Sequence, residues 1–304
     1  MRTYDLQITV VIATYNRFDL LKRALNSVRR QVIPVYEVIV VDDCSTDETS
    51  NIRKYYPEVK LLKQSENGGP GPARNLGIMA ASGNFVLILD DDDELVVDCT
   101  SVVYRRLSDI TNLDRFPVVQ FAHSNGRLTN FERFKLVKLE DYWSGAITGD
   151  FQPLINVKQF KDLELSYPDN RIGGENLLWW HIADDYGIPT WYDTIGLVND
   201  DATLRLTSVI SQIRHSKQHL ALAIQTLSIF GSKMEIQNPK MFHSRLLAVF
   251  VYAKLSGDED SMHRSMVDLR RTASPPVFSI LRILSIVPLK LFTILFTAYR
   301  RAER

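Results

Sequence analysis

The run Phe85-Val86-Leu87-Ile88-Leu89 passes directly into Asp90-Asp91-Asp92-Asp93-Glu94. Five apolar residues require a dry sheet interior, and four adjacent carboxylates repel one another unless something neutralises them. A divalent cation is the simplest neutraliser, and a hard cation takes oxygen ligands. The stretch therefore reads as a buried strand with a metal site at its carboxyl end, where open α/β sheets bind ligands. Helix-dipole compensation alone would not call for four aspartates.

Working outward, three more apolar runs precede it: Ile8–Ala13, Val35–Val41 and Val59–Leu62. None alternates strictly, which suits strands covered on both faces. Helical stripes separate them. Leu20, Leu21, Ala24, Leu25 and Val28 share one face, with Asn16 or Asp19 as the expected cap. Thr46–Tyr55 and Ala73–Ala81 supply the next two helices. The order is that of a doubly wound α/β half. Further on, Val96–Leu107 predicts a helix, Pro117–Ala122 a strand, Glu175–Tyr186 a helix and Pro189–Val198 a strand. From Ser208 the chain reads as wholly helical. The expected domains are 1–207 (a nucleotide-binding half 1–95 and a catalytic half 96–207) and a helical region 208–304.

The chain has 304 residues with 36 basic and 36 acidic side chains. That balance gives no argument for nucleic acid as a partner. Two cysteines, Cys44 and Cys99, form no disulfide framework or zinc spacing and fit a reducing compartment. The N-terminus has no apolar signal region. The segment 276–301 is strongly apolar but is interrupted by Arg282, Pro288 and Lys290 and closed by Arg300 and Arg301. It suits an amphipathic element lying on a membrane surface better than a spanning helix. A helix packed on its own domain, or in a homodimer, is the alternative.

Chemistry-bearing residues cluster at the predicted strand ends. Thr14 and Tyr15 follow the first strand, and the Tyr15 ring offers a stacking face for a nucleobase. Asp42-Asp43 ends the second strand and could accept hydrogen bonds from a base imide or ribose hydroxyl, whereas Ser45 and Asp47 suit helix capping. Asn67-Gly68-Gly69-Pro70-Gly71-Pro72-Ala73-Arg74 is a glycine-rich turn before a helix, able to present N–H groups to an anion. Arg74 suits a phosphate. The spacing is neither a Walker A loop nor a dinucleotide fingerprint. Glu175, after Gly173-Gly174 and before an apolar, tryptophan-rich helix, suits a general base. As a first-turn carboxylate it would also suit the helix dipole.

In this order, Ile8–Arg17, Val38–Asp47, Asn67–Gly77, Phe85–Leu95 and Gly174–Trp179 resemble the family 2 glycosyltransferases of the GT-A fold, over about two-thirds of the chain. The resemblance implies inverting transfer of a sugar from a nucleotide diphosphate, with UDP the expected nucleotide and Mn2+ or Mg2+ as cofactor. Carried over by motif, Thr14 and Tyr15 line the nucleoside pocket, Asp43 contacts the base, and Arg74 approaches the diphosphate. Asp90-x-Asp92 is the family's D-x-D element, with Asp92 and Asp93 or Asp90 facing metal and ribose. The family's catalytic Glu-Asp pair reads Glu175-Asn176 here, which leaves Glu175 as the expected base. Arg205 falls where a basic loop covers the diphosphate. The acceptor is expected to be a surface polysaccharide or lipid-linked oligosaccharide, and the location the inner face of the plasma membrane. A nucleotidyltransferase and a catalytically degenerate assembly partner are the alternatives.

Overall fold

The computed structural model describes residues 6–128, 132–199, 201 and 208–302. The chain forms two compact units, Met1–Thr203 and Leu204–Arg304.

The first unit opens with β1 (Ile8–Thr14), α1 (Phe18–Arg29) and β2 (Glu37–Asp42). A 3-10 segment (Glu48–Lys54), β3 (Lys60–Lys63), α2 (Pro70–Ala80) and β4 (Phe85–Asp90) follow. Next come β5 (Glu94–Leu95), α3 (Cys99–Ser108), β6 (Val118–His123), β7 (Arg127–Leu128) and β8 (Phe134–Val137). The unit ends with α4 (Leu139–Ser144), β9 (Ile147–Thr148), β10 (Phe151–Asn156), α5 (Val157–Asp162), α6 (Asn176–Asp185) and β11 (Ile188–Leu197).

The main sheet has the order β3-β2-β1-β4-β10-β6-β11-β5, with β8 also paired to β11. Its first four strands are parallel. β10 then runs antiparallel to both β4 and β6. Alternate residues of each apolar run serve opposite layers, as the two-residue period of a strand requires. Phe85, Leu87 and Leu89 pack with Leu21, Leu25, Val102 and Val103 from α1 and α3. Val86 and Ile88 pack on the other face with Ala73, Ile78, Leu178 and Ile182 from α2 and α6. A run without polar alternation is thus the sequence of a strand in a three-layer sandwich. Each Leu or Ile removed from water here contributes about 1.5–3 kcal/mol.

Two local expectations change. Neither Asn16 nor Asp19 caps α1. The Phe18 amide donates instead to Asp47 Oδ2 at 3.1 Å. Asn16, in a left-handed conformation with φ 52°, accepts from the amide of Thr46 at 2.7 Å. Each loop thus caps the other, which fixes the ends of β1 and β2 side by side. The segment after Asp47 is a 3-10 helix, with Asp47 accepting from the Thr49 amide.

The second unit holds α7 (Val209–Arg214), α8 (Ser216–Gln237), α9 (Pro239–Ser256), α10 (Glu259–Thr272), α11 (Pro275–Ile286) and α12 (Leu289–Ala302). Pro288, which cannot continue a helix, separates the last two. Among the described residues no helix is long and apolar enough to cross a membrane. Leu281 and Phe292 are buried, while Ile280, Ile283, Ile286, Leu291, Ile294 and Leu295 are exposed.

Candidate active site

Three adjacent parallel strands deliver the site. Thr14 pairs with Asp42 across β1 and β2, and Ala13 pairs with Asp90 across β1 and β4. The carboxyl ends of β1, β2 and β4 therefore lie at one sheet edge, and the turns that follow them carry Tyr15, Asp43 and the aspartate cluster. Tyr15 is exposed and Thr14 buried.

Asp43 is buried, and both its oxygens accept backbone N–H groups, from Gly68 at 2.8 Å and from Gly69 at 2.8 Å. The glycine-rich turn does cradle an anion, but that anion is the protein's own carboxylate. The expectation that these two amides face a phosphate is corrected accordingly. Burial raises Asp43 above the ordinary aspartate range, against the pull of the two amides.

The four aspartates divide by environment. Carboxylate oxygens of Asp90, Asp92 and Asp93 lie within 4.8 Å of one another. Asp91 is turned inward, where Arg17 Nη1 donates to its Oδ1 at 2.7 Å. Burial pushes Asp91 up to about 6 despite that partner. Asp93 is pushed up to about 7, by burial and by the neighbouring Asp90 and Asp92, while the Asn199 amide pulls it down. Three close oxygen donors, one of them raised by burial and then by its like-charged neighbours, fit a hard divalent cation. Arg23 and Asn199 fix the turn from outside. Arg23 Nη2 donates to the Asp92 carbonyl at 2.5 Å, and Asn199 Nδ2 does so at 3.1 Å.

Arg74 joins this cluster to Glu175. Its Nη2 donates to Asp90 Oδ1 and its Nη1 to Glu175 Oε1, each at 2.6 Å. Burial disfavours its charge, but the two carboxylates outweigh that and keep the guanidinium protonated. Tyr167 lies under the guanidinium, 5.3 Å from it to the ring centroid. Arg74 in this structure is thus engaged by protein carboxylates, where the sequence pointed to a diphosphate. Glu175 is placed by Gly173 and Gly174, with φ of 85° and 92°. Consecutive left-handed residues are open to glycine at little cost. Asn176, the first residue of α6, is exposed.

The structure therefore brings Asp90, Asp92, Asp93, Arg74 and Glu175 together, with Thr14, Tyr15 and Asp43 at the adjoining strand ends. Arg205 lies outside the described residues. Sequence reading missed Arg17, Arg23, Tyr167, Asn199 and His123. Of these, Arg17 and His123 carried a signal, since each closes or follows an apolar strand run that ends in polar residues. His123, the last residue of β6, is 6% exposed, and burial holds it below the ordinary histidine range.

Comparison with known proteins gives a consistent result. Residues 9–155 match the model of glycosyl transferase family 2. The succinoglycan biosynthesis protein ExoO of Rhizobium meliloti is 43% identical over 93 residues, 30% of this chain and 27% of that protein. The GalNAc(5)-diNAcBac-PP-undecaprenol beta-1,3-glucosyltransferase of Campylobacter jejuni is 36% identical over 108 residues, 34% of this chain and 35% of that protein. The crystal structure of Staphylococcus aureus TarS 1-349 in complex with UDP-GlcNAc superposes with a TM-score of 0.61 at 20% identity, covering 98% of this chain and 92% of that one. The two curated relatives are thus matched over about a third of their length or less. The superposition establishes a shared GT-A fold, and residues 9–155 form a glycosyl transferase family 2 domain.

Proposed function

We propose that the protein transfers a sugar, with inversion, from a nucleotide diphosphate donor to a hydroxyl of a surface polysaccharide or lipid-linked oligosaccharide. The observation that carries this reading is the Arg74 bridge, which sets Glu175 beside an aspartate cluster at the sheet edge that also holds Thr14, Tyr15 and Asp43.

Glu175 Oε1 is committed to Arg74, so Oε2 takes the proton of the acceptor hydroxyl. The oxygen so exposed attacks the anomeric carbon from the face opposite the leaving nucleotide, which inverts that centre. Arg74 orients Glu175 and lends it no proton, because both its carboxylate partners hold the guanidinium charged. Asp43 Oδ2 keeps a second lone pair for a base imide, Oδ1 also facing the Gln64 amide, and Tyr15 offers an exposed ring for stacking. Asp92 and Asp93, with Asp90, would hold Mn2+ or Mg2+. When bound, that ion supplies Lewis-acid neutralisation of the departing diphosphate. The name of the Staphylococcus aureus structure, which holds UDP-GlcNAc, supports a uridine nucleotide.

The acceptor reading draws on the undecaprenol-linked substrate in the name of the Campylobacter jejuni relative. It also draws on the outer faces of α11 and α12, where Ile280, Ile283, Ile294 and Leu295 are exposed among Arg282, Lys290, Arg300 and Arg301. Residues 274–302 contain no acidic side chain. An apolar face with basic flanks suits the anionic inner surface of a plasma membrane.

A screen of nucleotide sugars by release of nucleoside diphosphate, with and without Mn2+, tests the reading. Metal-dependent release that is lost in Asp92→Ala supports it. Release that needs no metal and survives Asp92→Ala overturns it.

A further inference from the structure

His123 lies beside the aspartate cluster with no assigned task. Its backbone is pinned on both sides. The His123 amide donates to the Asp150 carbonyl at 3.1 Å, and the next residue, Ser124, donates to Gly196 at 2.9 Å. His123 is 6% exposed, and its Nδ1 makes no hydrogen bond of normal geometry among the described residues; Gln152, whose Oε1 is likewise unpaired, is the neutral polar side chain beside the ring. An orphaned buried nitrogen of this kind needs a reason. The group it faces is Asp93, whose Oδ2 lies 3.9 Å from Nδ1. Asp90 and Asp150 are the other charges near the ring.

A separation of 3.9 Å is too long for a hydrogen bond. It is within reach of two ligands of one ion, because atoms each about 2.1–2.2 Å from an octahedral cation lie about 3.0 Å apart when cis and about 4.3 Å when trans, so a small turn of either side chain brings the pair to a ligand separation. Asp93 Oδ1 is meanwhile held by the Asn199 amide at 3.1 Å, which leaves Oδ2 as the oxygen aimed at the ring.

The backbone across the sheet is shaped for the same imidazole. β11 shifts register between Thr194 and Gly196, and this irregularity sets Gly196 opposite His123. A Cβ at Gly196 would lie 2.8 Å from both Cε1 and Nδ1 of the ring. Bulges often re-aim residues beside a site. Here one clears the space that the imidazole fills.

We propose that His123 is a ligand, through Nδ1, of the divalent cation held by Asp93. The inference rests on the reading of the aspartate cluster as a cation site. It adds one nitrogen to an oxygen donor set, and so a preference for Mn2+ over Mg2+, since imidazole suits transition ions whereas Mg2+ favours oxygen and water.

Pulsed EPR of Mn2+ bound to the full chain in the presence of UDP tests this without reference to turnover. The expected result is a directly bonded nitrogen coupling, whose frequencies change when histidine is labelled with 15N. In His123→Gln the coupling disappears, and Mn2+ affinity falls about tenfold while Mg2+ affinity changes less. Gly196→Ala, which keeps the histidine but crowds it, weakens the coupling. Mn2+ that binds the wild type with no histidine nitrogen coupling overturns the role of His123 and leaves the cluster reading intact. A wild type that binds no Mn2+ overturns both. The 15N labelling decides the question even if His123→Gln fails to fold.

Discussion

Arg74 Nη1 donates to Glu175 Oε1 at 2.6 Å across 101 positions of sequence, and the same guanidinium reaches Asp90 at 2.6 Å. One planar fork thus ties the candidate base to the candidate metal turn. Lysine carries the charge but offers a single point donor, so it can satisfy one carboxylate well and not both. Arg74→Lys is expected to lower kcat for transfer at least tenfold while changing the donor KM by less than about threefold, the pattern of a positioning residue. Arg74→Ala also strands two carboxylates. Because both keep contact with solvent, the expected cost is about 1–3 kcal/mol in urea unfolding, below that of a fully buried pair.

Glu175→Gln separates proton transfer from shape. The amide oxygen can still accept from Arg74, but no carboxylate remains to take the acceptor proton. Transfer is expected to fall by about 10²–10⁴, with UDP affinity within about threefold of wild type. Asn176 is exposed at the start of α6, so Glu175→Gln combined with Asn176→Asp should recover little. Rates of transfer for the single and double variants decide this. Recovery to within about tenfold of wild type would place the base at position 176.

The turn itself depends on a clamp outside it. Arg23 holds the Asp92 carbonyl and also donates to both oxygens of Asp201, at 2.5 and 2.9 Å. Arg23→Ala removes one of the two donors to the Asp92 carbonyl, leaving Asn199 Nδ2, without removing any of the three clustered carboxylates. Mn2+ affinity is expected to fall about tenfold, as it does when outer partners of a metal site are removed. Titration of Mn2+ by EPR measures this, and an unchanged affinity would show that the turn is held without Arg23.

The first half of the sheet was legible because β1, β2 and β4 are buried apolar runs ending in polar residues, whereas β3, at the sheet edge, is the short and partly exposed Lys60-Leu61-Leu62-Lys63. β10 was not. Phe151-Gln152-Pro153-Leu154-Ile155-Asn156 has a proline at its centre, which argues against a central strand, yet it lies between β4 and β6. Pro153 sits opposite Gln120 of β6, and the recorded pairing with β4 begins one residue later, at Leu154. No local pattern announces that arrangement. The site was legible as a list of strand ends and much less so as a set of partners. That Asp91 turns to Arg17 while Asp90 turns to Arg74 is a matter of side-chain direction in a tight turn. Four identical letters cannot encode that difference.

The helical unit carries its own pH dependence. His219 stacks on Tyr252, with ring centroids 4.7 Å apart and planes 14° from parallel. Its Nε2 has no hydrogen-bond partner among the described residues. Burial, together with the nearby His215, lowers it to about 4. An unfolded histidine titrates near 6.5. Between these values the unfolded chain binds a proton that the folded chain refuses, so falling pH favours unfolding. The stabilisation is whole above about pH 6.5 and is lost as pH drops toward 4. His219→Phe keeps an aromatic stack but has nothing to protonate. Carboxylates titrate in the same window, so the informative quantity is the difference between wild type and variant in urea midpoint, read at pH 7.5, 5.5 and 4.5. The wild type should lose ground to the variant as the pH falls. A constant difference would mean that His219 is protonated in the folded protein as readily as in the unfolded chain.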